Sequence, residues 1–197
     1  SSELETVGSA IGSEMAKKSL IAVLAGLAGI FVYLMLRFEM SFAMGAIVAL
    51  IHDCAITAGG AVLLGQELSL LHISAVLTIA GYSVNDTIVI FDRLREVITS
   101  GRKGSIKELM NIAISATMRR TLLTSAATMC SVIVLIVLGG PSMREFSLPI
   151  FVGMIAGVYS TVFIAAPVVL WWARRTGVSL HRQVLESVEA PPSPSQA

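Results

Sequence analysis

Long apolar stretches separated by short polar segments dominate the pattern along this chain. Five of these stretches carry no formal charge except two aspartates, Asp53 and Asp86, and they cover residues 19–36, 41–64, 70–91, 122–138 and 146–172. An α-helix rises about 1.5 Å per residue, so about 17 to 25 residues are needed to cross the hydrocarbon core of a bilayer. All five stretches come near or within that length. The pattern predicts an all-α membrane protein with a bundle of five transmembrane helices.

The composition agrees with this pattern. Only 14% of the 197 residues are charged, against about 25% in an average soluble domain, and the mean hydropathy is +0.82. The basic residues lie at the ends of the apolar stretches, where attraction to anionic lipid headgroups accounts for them. We therefore expect contacts with membrane lipids and no nucleic-acid binding.

The distribution of Lys and Arg predicts an orientation in the membrane. Three of the 14 lie in the N-terminal segment and the turn 139–145, whereas the other eleven lie on the opposite side. Cytoplasmic loops carry the excess of Lys and Arg. Because the number of spans is odd, we expect an extracytoplasmic N-terminus and a cytoplasmic C-terminus. We also expect that one further span precedes Ser1 in a longer protein.

The chain divides into three predicted parts. Residues 1–18 form an extracytoplasmic lead-in to the first span, residues 19–173 form the transmembrane domain, and residues 174–197 form a cytoplasmic tail. The end of this tail, from Ala190, is rich in Pro and Ser and poor in apolar residues, so we expect it to be disordered.

The long polar segment 92–120 contains a further predicted helix. Ser105 can cap its N-terminus, and Glu108, three residues later, can return a hydrogen bond to the cap. Apolar residues follow at helical spacing, namely Ile106, Leu109, Met110 and Ala113. This pattern favours a cytoplasmic amphipathic helix lying on the membrane, and a solvated linker helix without a partner is the alternative.

Small residues and prolines mark the last span. Gly153 and Gly157 have the spacing that lets helices approach closely, and Pro167 favours a local break in the helix. Cys54 and Cys130 fall within apolar stretches, so we expect free, buried thiols.

Asp86 is a carboxylate inside the third span. An ionised Asp at the centre of a bilayer costs about 2.5 to 3.5 kcal/mol on insertion scales, so such a residue normally has a partner, a water path or a proton. It lies six residues before Asp92, which by helix rise is about 9 Å inside the polar boundary. Proton exchange is one interpretation, and permanent hydrogen bonding to a neighbouring helix is the other.

Arginines at the start of the fourth span are the candidate partners of Asp86. Long basic side chains near a helix end can reach inward or outward, so either Arg119 or Arg120 could pair with an acid or anchor the helix at the lipid surface. Hydroxyl and amide groups also concentrate near Asp86, where they either line a wet crevice or bond to their own helix backbone. These residues are Ser83, Asn85, Thr87, Thr121, Thr124, Ser125 and Thr128.

Asp53 is the second acid within a span. It lies about 18 Å from Ser41 by helix rise, near the midplane of the membrane. His52 precedes it, and adjacent residues project about 100° apart on a helix, so we do not expect the two to form one site. Asp53 is either a polar step in a proton path or a bridge between two helices. No metal-ligand spacing, hydrolase triad or phosphate-binding loop is present, so we expect no metal, no cofactor and no enzymatic activity.

The motifs resemble those of the SecF family of bacterial protein-export membrane subunits. The strongest match is the run Gly-Tyr-Ser-Val-Asn-Asp-Thr-Ile-Val-Ile-Phe-Asp-Arg at residues 81–93, and coverage extends from about Val7 to Trp172. Further matching motifs are Val7-Gly8-x-x-x-Gly12, Arg37-Phe38-Glu39, His52-Asp53, Arg120-Thr121-Leu122-x-Thr124-Ser125 and Gly139-Gly140-Pro141.

The resemblance implies half of a resistance-nodulation-division type transmembrane domain, in which proton flow moves large outer domains. By this resemblance Asp86 is the proton-carrying or proton-gating acid, Arg120 is its charged counterpart, and Asn85 and Tyr82 shape the site. The implied partners are SecD, the SecYEG translocon with its accessory subunits, and a preprotein substrate, in the bacterial inner membrane. The family also has one more span and an outer domain before the region that matches Val7.

Two other functions fit the same residues. One is an interaction subunit that stabilises a partner complex without carrying protons. The other is half of a proton-coupled efflux or lipid transporter of the same superfamily. Finding a SecD-type half fused to this chain, or encoded beside it, would exclude this transporter function.

Overall fold

A computed structural model of the protein describes residues 2–66, 69–177 and 179–189, with side chains described between residues 17 and 186 apart from 19, 67, 68, 178 and 181. The described residues fold into helices joined by short connections. In chain order these are α1 (Ser2–Arg37), α2 (Met40–Leu63), α3 (Leu70–Thr99), α4 (Ile106–Leu138), α5 (Pro141–Ser160), a π-helix (Thr161–Ala165), α6 (Ala166–Thr176) and α7 (Leu180–Glu189).

Five helical segments are long and apolar enough to cross a membrane. They are the part of α1 from Leu20, then α2, α3, α4 and the continuous run from α5 to α6. This confirms the predicted bundle of five spans. α3 has 30 residues and α4 has 33, and such lengths exceed the roughly 20 residues that cross a bilayer. The two helices therefore extend beyond the membrane core.

The connection between α3 and α4 is shorter than the polar segment 92–120 suggests. α3 continues to Thr99 and α4 begins at Ile106. The predicted capping box is present: the Ser105 hydroxyl accepts from the Glu108 backbone N–H at 3.3 Å, and the Glu108 carboxylate accepts from the Ser105 N–H at 2.8 Å. Because no Gly or Pro interrupts α4, the helix that begins at this cap continues directly into the fourth span.

The amphipathic segment at the start of α4 packs on protein. Leu109, Met110 and Ala113 are buried in the same core cluster as Leu94 and Ile98 of α3. The apolar face of this segment is therefore packed into the helical bundle, which contradicts the alternative of a solvated linker helix without a partner. Three phenyl rings complete this end of the core, with centroids 5.1 to 6.5 Å apart: Phe38 of the α1–α2 connection, Phe42 of α2 and Phe91 of α3.

The last span packs closely through its glycines, as predicted. A Cβ at Gly153 would collide with the Thr57 hydroxyl of α2 and lie 2.7 Å from the Ile79 side chain of α3. The predicted disturbance near Pro167 takes the form of the π-helix Thr161–Ala165, directly upstream. Proline lacks the N–H that would continue the regular ladder, and π-bulges in long helices occur frequently at functional sites.

The described parts of the predicted lead-in and tail are largely helical. Residues 2–18 belong to the continuous helix α1. After Gly177, whose positive φ of 67° ends α6, the chain turns into α7. Leu180 and Val184 of α7 are buried against the core, and the Ser41 hydroxyl donates to the Gln183 side chain at 3.1 Å. The expected disorder from Ala190 lies outside the described residues.

Polar side chains join the C-terminal end of α2 to the N-terminal ends of α3 and α5. His72 is almost fully buried, with its Nε2 3.1 Å from the Gln66 side chain and its Nδ1 2.9 Å from the Ser69 hydroxyl. Ser69 also donates to Glu145 of α5 at 3.0 Å. The α2–α3 turn is thereby tied to the start of the last span.

Candidate functional site

Asp86 lies on the face of α3 that packs against α4. Its side chain is only 7% exposed. The Ser125 hydroxyl and, at a longer distance, the Arg120 guanidinium, both from α4, lie in the electrostatic surroundings of the carboxylate. The structure therefore brings together, in one helix interface, the acid and the arginine that the sequence indicated.

A polar strip on α4 faces this acid. Thr117, Thr121 and Ser125 recur at intervals of one helical turn, and all three are buried. The Tyr82 hydroxyl of α3 donates to Ser125 at 3.2 Å, whereas the buried Thr121 hydroxyl has no hydrogen-bond partner among the described residues. Buried hydroxyls of this kind are normally satisfied by protein or water. The strip can thus offer both a donor and an open hydrogen-bonding position beside Asp86.

Arg120 is close to Asp86 but not in direct contact with it. Its side chain is exposed, and among the described ion pairs none joins it to Asp86 within 4 Å. Arg119 is exposed as well. A long guanidinium side chain at this position can approach or leave the acid without moving the helix backbone. The charge interaction between Arg120 and Asp86 can therefore be strengthened or weakened by a change in their distance.

Four charged residues follow the site along α3, and two of them pair with the α1–α2 corner. Asp92 pairs with Arg37 at 3.4 Å, and Arg95 pairs with Glu39 at 3.5 Å. Arg93 and Glu96 pair at 2.6 Å within α3. Asp86 lies six residues before Asp92, which corresponds to about 9 Å along the helix.

Asp53 forms a second buried site in the middle of the bundle. Its side chain is 0% exposed. One carboxylate oxygen, Oδ2, accepts hydrogen bonds from the hydroxyls of Ser83 on α3 and Ser160 at the end of α5, the latter at 2.7 Å. Asp53 therefore bridges three helices.

The expectation that His52 and Asp53 stand apart was wrong. The His52 Nδ1 lies 2.9 Å from the other carboxylate oxygen, Oδ1. Their backbone positions diverge by about 100°, but the imidazole is long enough to fold back along the helix toward its neighbour. His52 keeps about a third of its side chain exposed, at 32%.

The remaining sequence candidates have different surroundings. Tyr82 reaches the Asp86 site through Ser125, whereas Asn85 is exposed beside it. Ser160 was not singled out from the sequence, although it follows Gly153 and Gly157 on the same closely packed face.

Among the described residues no group of three His, Cys, Asp or Glu side chains could hold a metal ion. Cys54 and Cys130 are free, but Cys130 is exposed on α4 instead of buried.

Comparison with known proteins identifies the family. The profile of the family described as protein export membrane protein SecD/SecF, C-terminal, matches residues 1–175. The chain belongs to the SecD/SecF family. Within this family, it is 42% identical to the protein translocase subunit SecF of Koribacter versatilis over 85% of this chain and 41% of that protein. It is 44% identical to the SecDF of Thermus thermophilus over 87% of this chain and 23% of that protein.

Solved SecD/SecF structures share the fold. The crystal structure of SecDF from Thermus thermophilus, described as a translocon-associated membrane protein, superimposes with a TM-score of 0.80 at 43% identity, covering 84% of this chain and 23% of that one. A SecDF in a super-membrane-facing form gives a TM-score of 0.75 at 40% identity, covering 90% and 23%. The chain therefore spans less than half the length of these relatives.

Proposed function

We propose that this chain is the membrane part of a SecF-like subunit that uses the proton motive force to assist preprotein translocation across the bacterial inner membrane. Membership of the SecD/SecF family supports the transport role. The observation that carries the proton-coupling role is Asp86, a buried acid in α3 that interacts with Ser125 and Arg120 of α4. An intramembrane acid with a movable basic partner is suited to bind and release protons.

The coupling acts through the α3–α4 interface. When Asp86 is ionised it attracts the Arg120 guanidinium, and when it is protonated this charge attraction is lost. A proton can shift the equilibrium between two arrangements of α3 and α4 only because the carboxylate interacts differently with α4 in each. Asn85 and Tyr82 shape the site around the acid. The role is transport and requires no enzymatic chemistry.

The proposed partners follow from the family. Its SecDF members support association with a SecD half, whose bundle would face this one. We further assign the SecYEG translocon with its accessory subunits, an emerging preprotein and membrane lipids as partners of the whole protein. The proposed orientation has an extracytoplasmic N-terminus and a cytoplasmic C-terminus.

The proposal is tested by Asp86→Asn in the complete subunit with its SecD partner. Asparagine has nearly the same shape but cannot exchange a proton, so export should fall to the level measured when the proton gradient is collapsed. Subunit abundance in the membrane, measured by immunoblot, should stay unchanged. Wild-type export by this variant under a full gradient would contradict proton coupling and would support an interaction subunit instead.

A further inference from the structure

Asp53, Ser83 and Ser160 form a hydrogen-bonded group, the Asp53 cluster, where α2, α3 and α5 meet. The carboxylate is fully enclosed, and both serine hydroxyls bond to the same oxygen, Oδ2. In an apolar bundle within a membrane, hydrogen bonds between helices contribute to their association and to their register. This cluster therefore fixes the mutual positions of three spans.

The helix backbones approach closely around the cluster. A Cβ at Gly157 would lie 3.4 Å from the Ser83 Cβ and 3.8 Å from the Asp53 carboxylate. One turn beyond Ser83, the Thr87 hydroxyl lies 3.4 Å from the Thr161 hydroxyl, at the first residue of the π-helix. α3 is thus held against the last span at two successive turns.

The same segment of α3 carries Asp86. Ser83 and Thr87 project toward α2 and α5, whereas Asp86 is rotated from each by about 60° to 100° and faces α4. Because these residues lie within one turn of a rigid helix, the rotation that the cluster imposes on Ser83 also sets the direction of the Asp86 carboxylate. Loss of the cluster would let α3 turn or slide and would displace Asp86 from Ser125.

We infer that Asp53 is a positioning residue that holds α3 on α2 and α5 so that a proton on Asp86 moves α4. This role rests on the proposed proton coupling. It differs from a proton-carrying role for Asp53, since its carboxylate serves as a hydrogen-bond acceptor for two helices and is closed to solvent.

Asparagine at position 53 separates the two roles. Its amide oxygen can occupy the Oδ2 position and accept from Ser83 and Ser160. Its NH₂ group can occupy the Oδ1 position and donate to the Nδ1 of neutral His52, which lies 2.9 Å from that oxygen. Every hydrogen bond of the cluster is then retained, but no proton can be exchanged. Leucine at position 53 retains none of them.

The experiment measures export by the complete subunit with its SecD partner in inverted membrane vesicles, as a function of the imposed proton gradient. Asp53→Asn should keep the wild-type gradient for half-maximal export, in contrast to Asp86→Asn. Ser160→Ala and Asp53→Leu should shift half-maximal export to a larger gradient. Reduced folding alone would lower the maximal rate without this shift.

Ser147→Ala is the matched control. Ser147 is also a buried serine of α5, but its hydroxyl has no hydrogen-bond partner among the described residues. This variant should behave as wild type. The inference is overturned if Asp53→Asn loses gradient-dependent export as completely as Asp86→Asn, or if Ser160→Ala matches Ser147→Ala. If instead the proposed proton coupling through Asp86 is wrong, export by the wild type and by Asp86→Asn would be equal. This result is distinct from the two that overturn the role of Asp53.

Discussion

Two buried carboxylates in this bundle differ in what surrounds them. Asp53 is fully enclosed and accepts hydrogen bonds from two other helices. Asp86 is slightly exposed and interacts with one hydroxyl and a distant guanidinium. A fully satisfied carboxylate stabilises one arrangement of helices, whereas a partly satisfied one can change partners when its charge changes. These surroundings support the proposed positioning role of Asp53 and the proposed proton exchange at Asp86.

Arg120 provides a test of the charge interaction at the scale of a single residue. Because the interaction with Asp86 acts over a longer range than a salt bridge, a positive charge at this position matters more than guanidinium geometry. Arg120→Lys should retain most of the gradient-dependent export, and Arg120→Leu should reduce it to the level of Asp86→Asn. Export rates of the two variants at equal membrane abundance check this. Equal activities of Lys and Leu would rule out the charge interaction.

The sequence pointed to the residues around Asp86 and to His52 and Ser83, which contact Asp53, but not to Ser160. An acid inside an apolar stretch stands out, and so does an arginine at the head of the next span. A serine such as Ser160 does not, because single hydroxyls in spans commonly bond to their own helix backbone. Its role depends on the rotation of α5, which follows from the close approach at Gly153 and Gly157 and from the π-helix. These are properties of packing between helices.

At the scale of elements, α3 is the helix that connects the two sites. One of its faces meets α2 and α5 through Ser83 and Thr87, and an adjacent face meets α4 through Tyr82 and Asp86. The contacts of α3 with α2 and α5 are fixed, whereas its contact with α4 depends on the charge of Asp86. A change of that charge can therefore move α4 relative to α3. This division makes α4 the expected moving helix.

The number of membrane spans was predictable from hydropathy, but the ends of the helices were not. Charges at 92–96 suggested that the third span ends near Phe91, whereas α3 continues to Thr99 because its charged side chains pair with Arg37 and Glu39 of the α1–α2 corner. α7 was not predicted because only two apolar residues, Leu180 and Val184, anchor it to the core. Both features depend on contacts between distant parts of the chain.

At the scale of the whole molecule, the bundle leaves large apolar surfaces uncovered. Residues of α4 such as Leu122, Leu123 and Leu138 are more than half exposed. In a membrane such a surface faces lipid or another helical bundle. We propose that a SecD half packs on the α3–α4 side, where it would also enclose the Asp86 site.

The orientation of the bundle has a direct test. Ser142 lies in the first turn of α5 and Ser179 lies before α7, and both are exposed. In a protein whose Cys54 and Cys130 are replaced, cysteines introduced at these two positions should differ in how they are labelled in intact cells. A membrane-impermeant thiol reagent should label Ser142→Cys and leave Ser179→Cys unlabelled until the cells are opened. The reverse labelling would show that the Lys and Arg distribution was interpreted with the wrong sign.

The central claim is that Asp86 binds and releases a proton. It is tested most directly by infrared difference spectroscopy of the complete subunit with its SecD partner in lipid vesicles, titrated with pH. We predict a carboxylic acid C=O band that changes with pH, that is absent from Asp86→Asn and that persists in Asp53→Asn. A titrating band that survives in Asp86→Asn and disappears in Asp53→Asn would contradict the account.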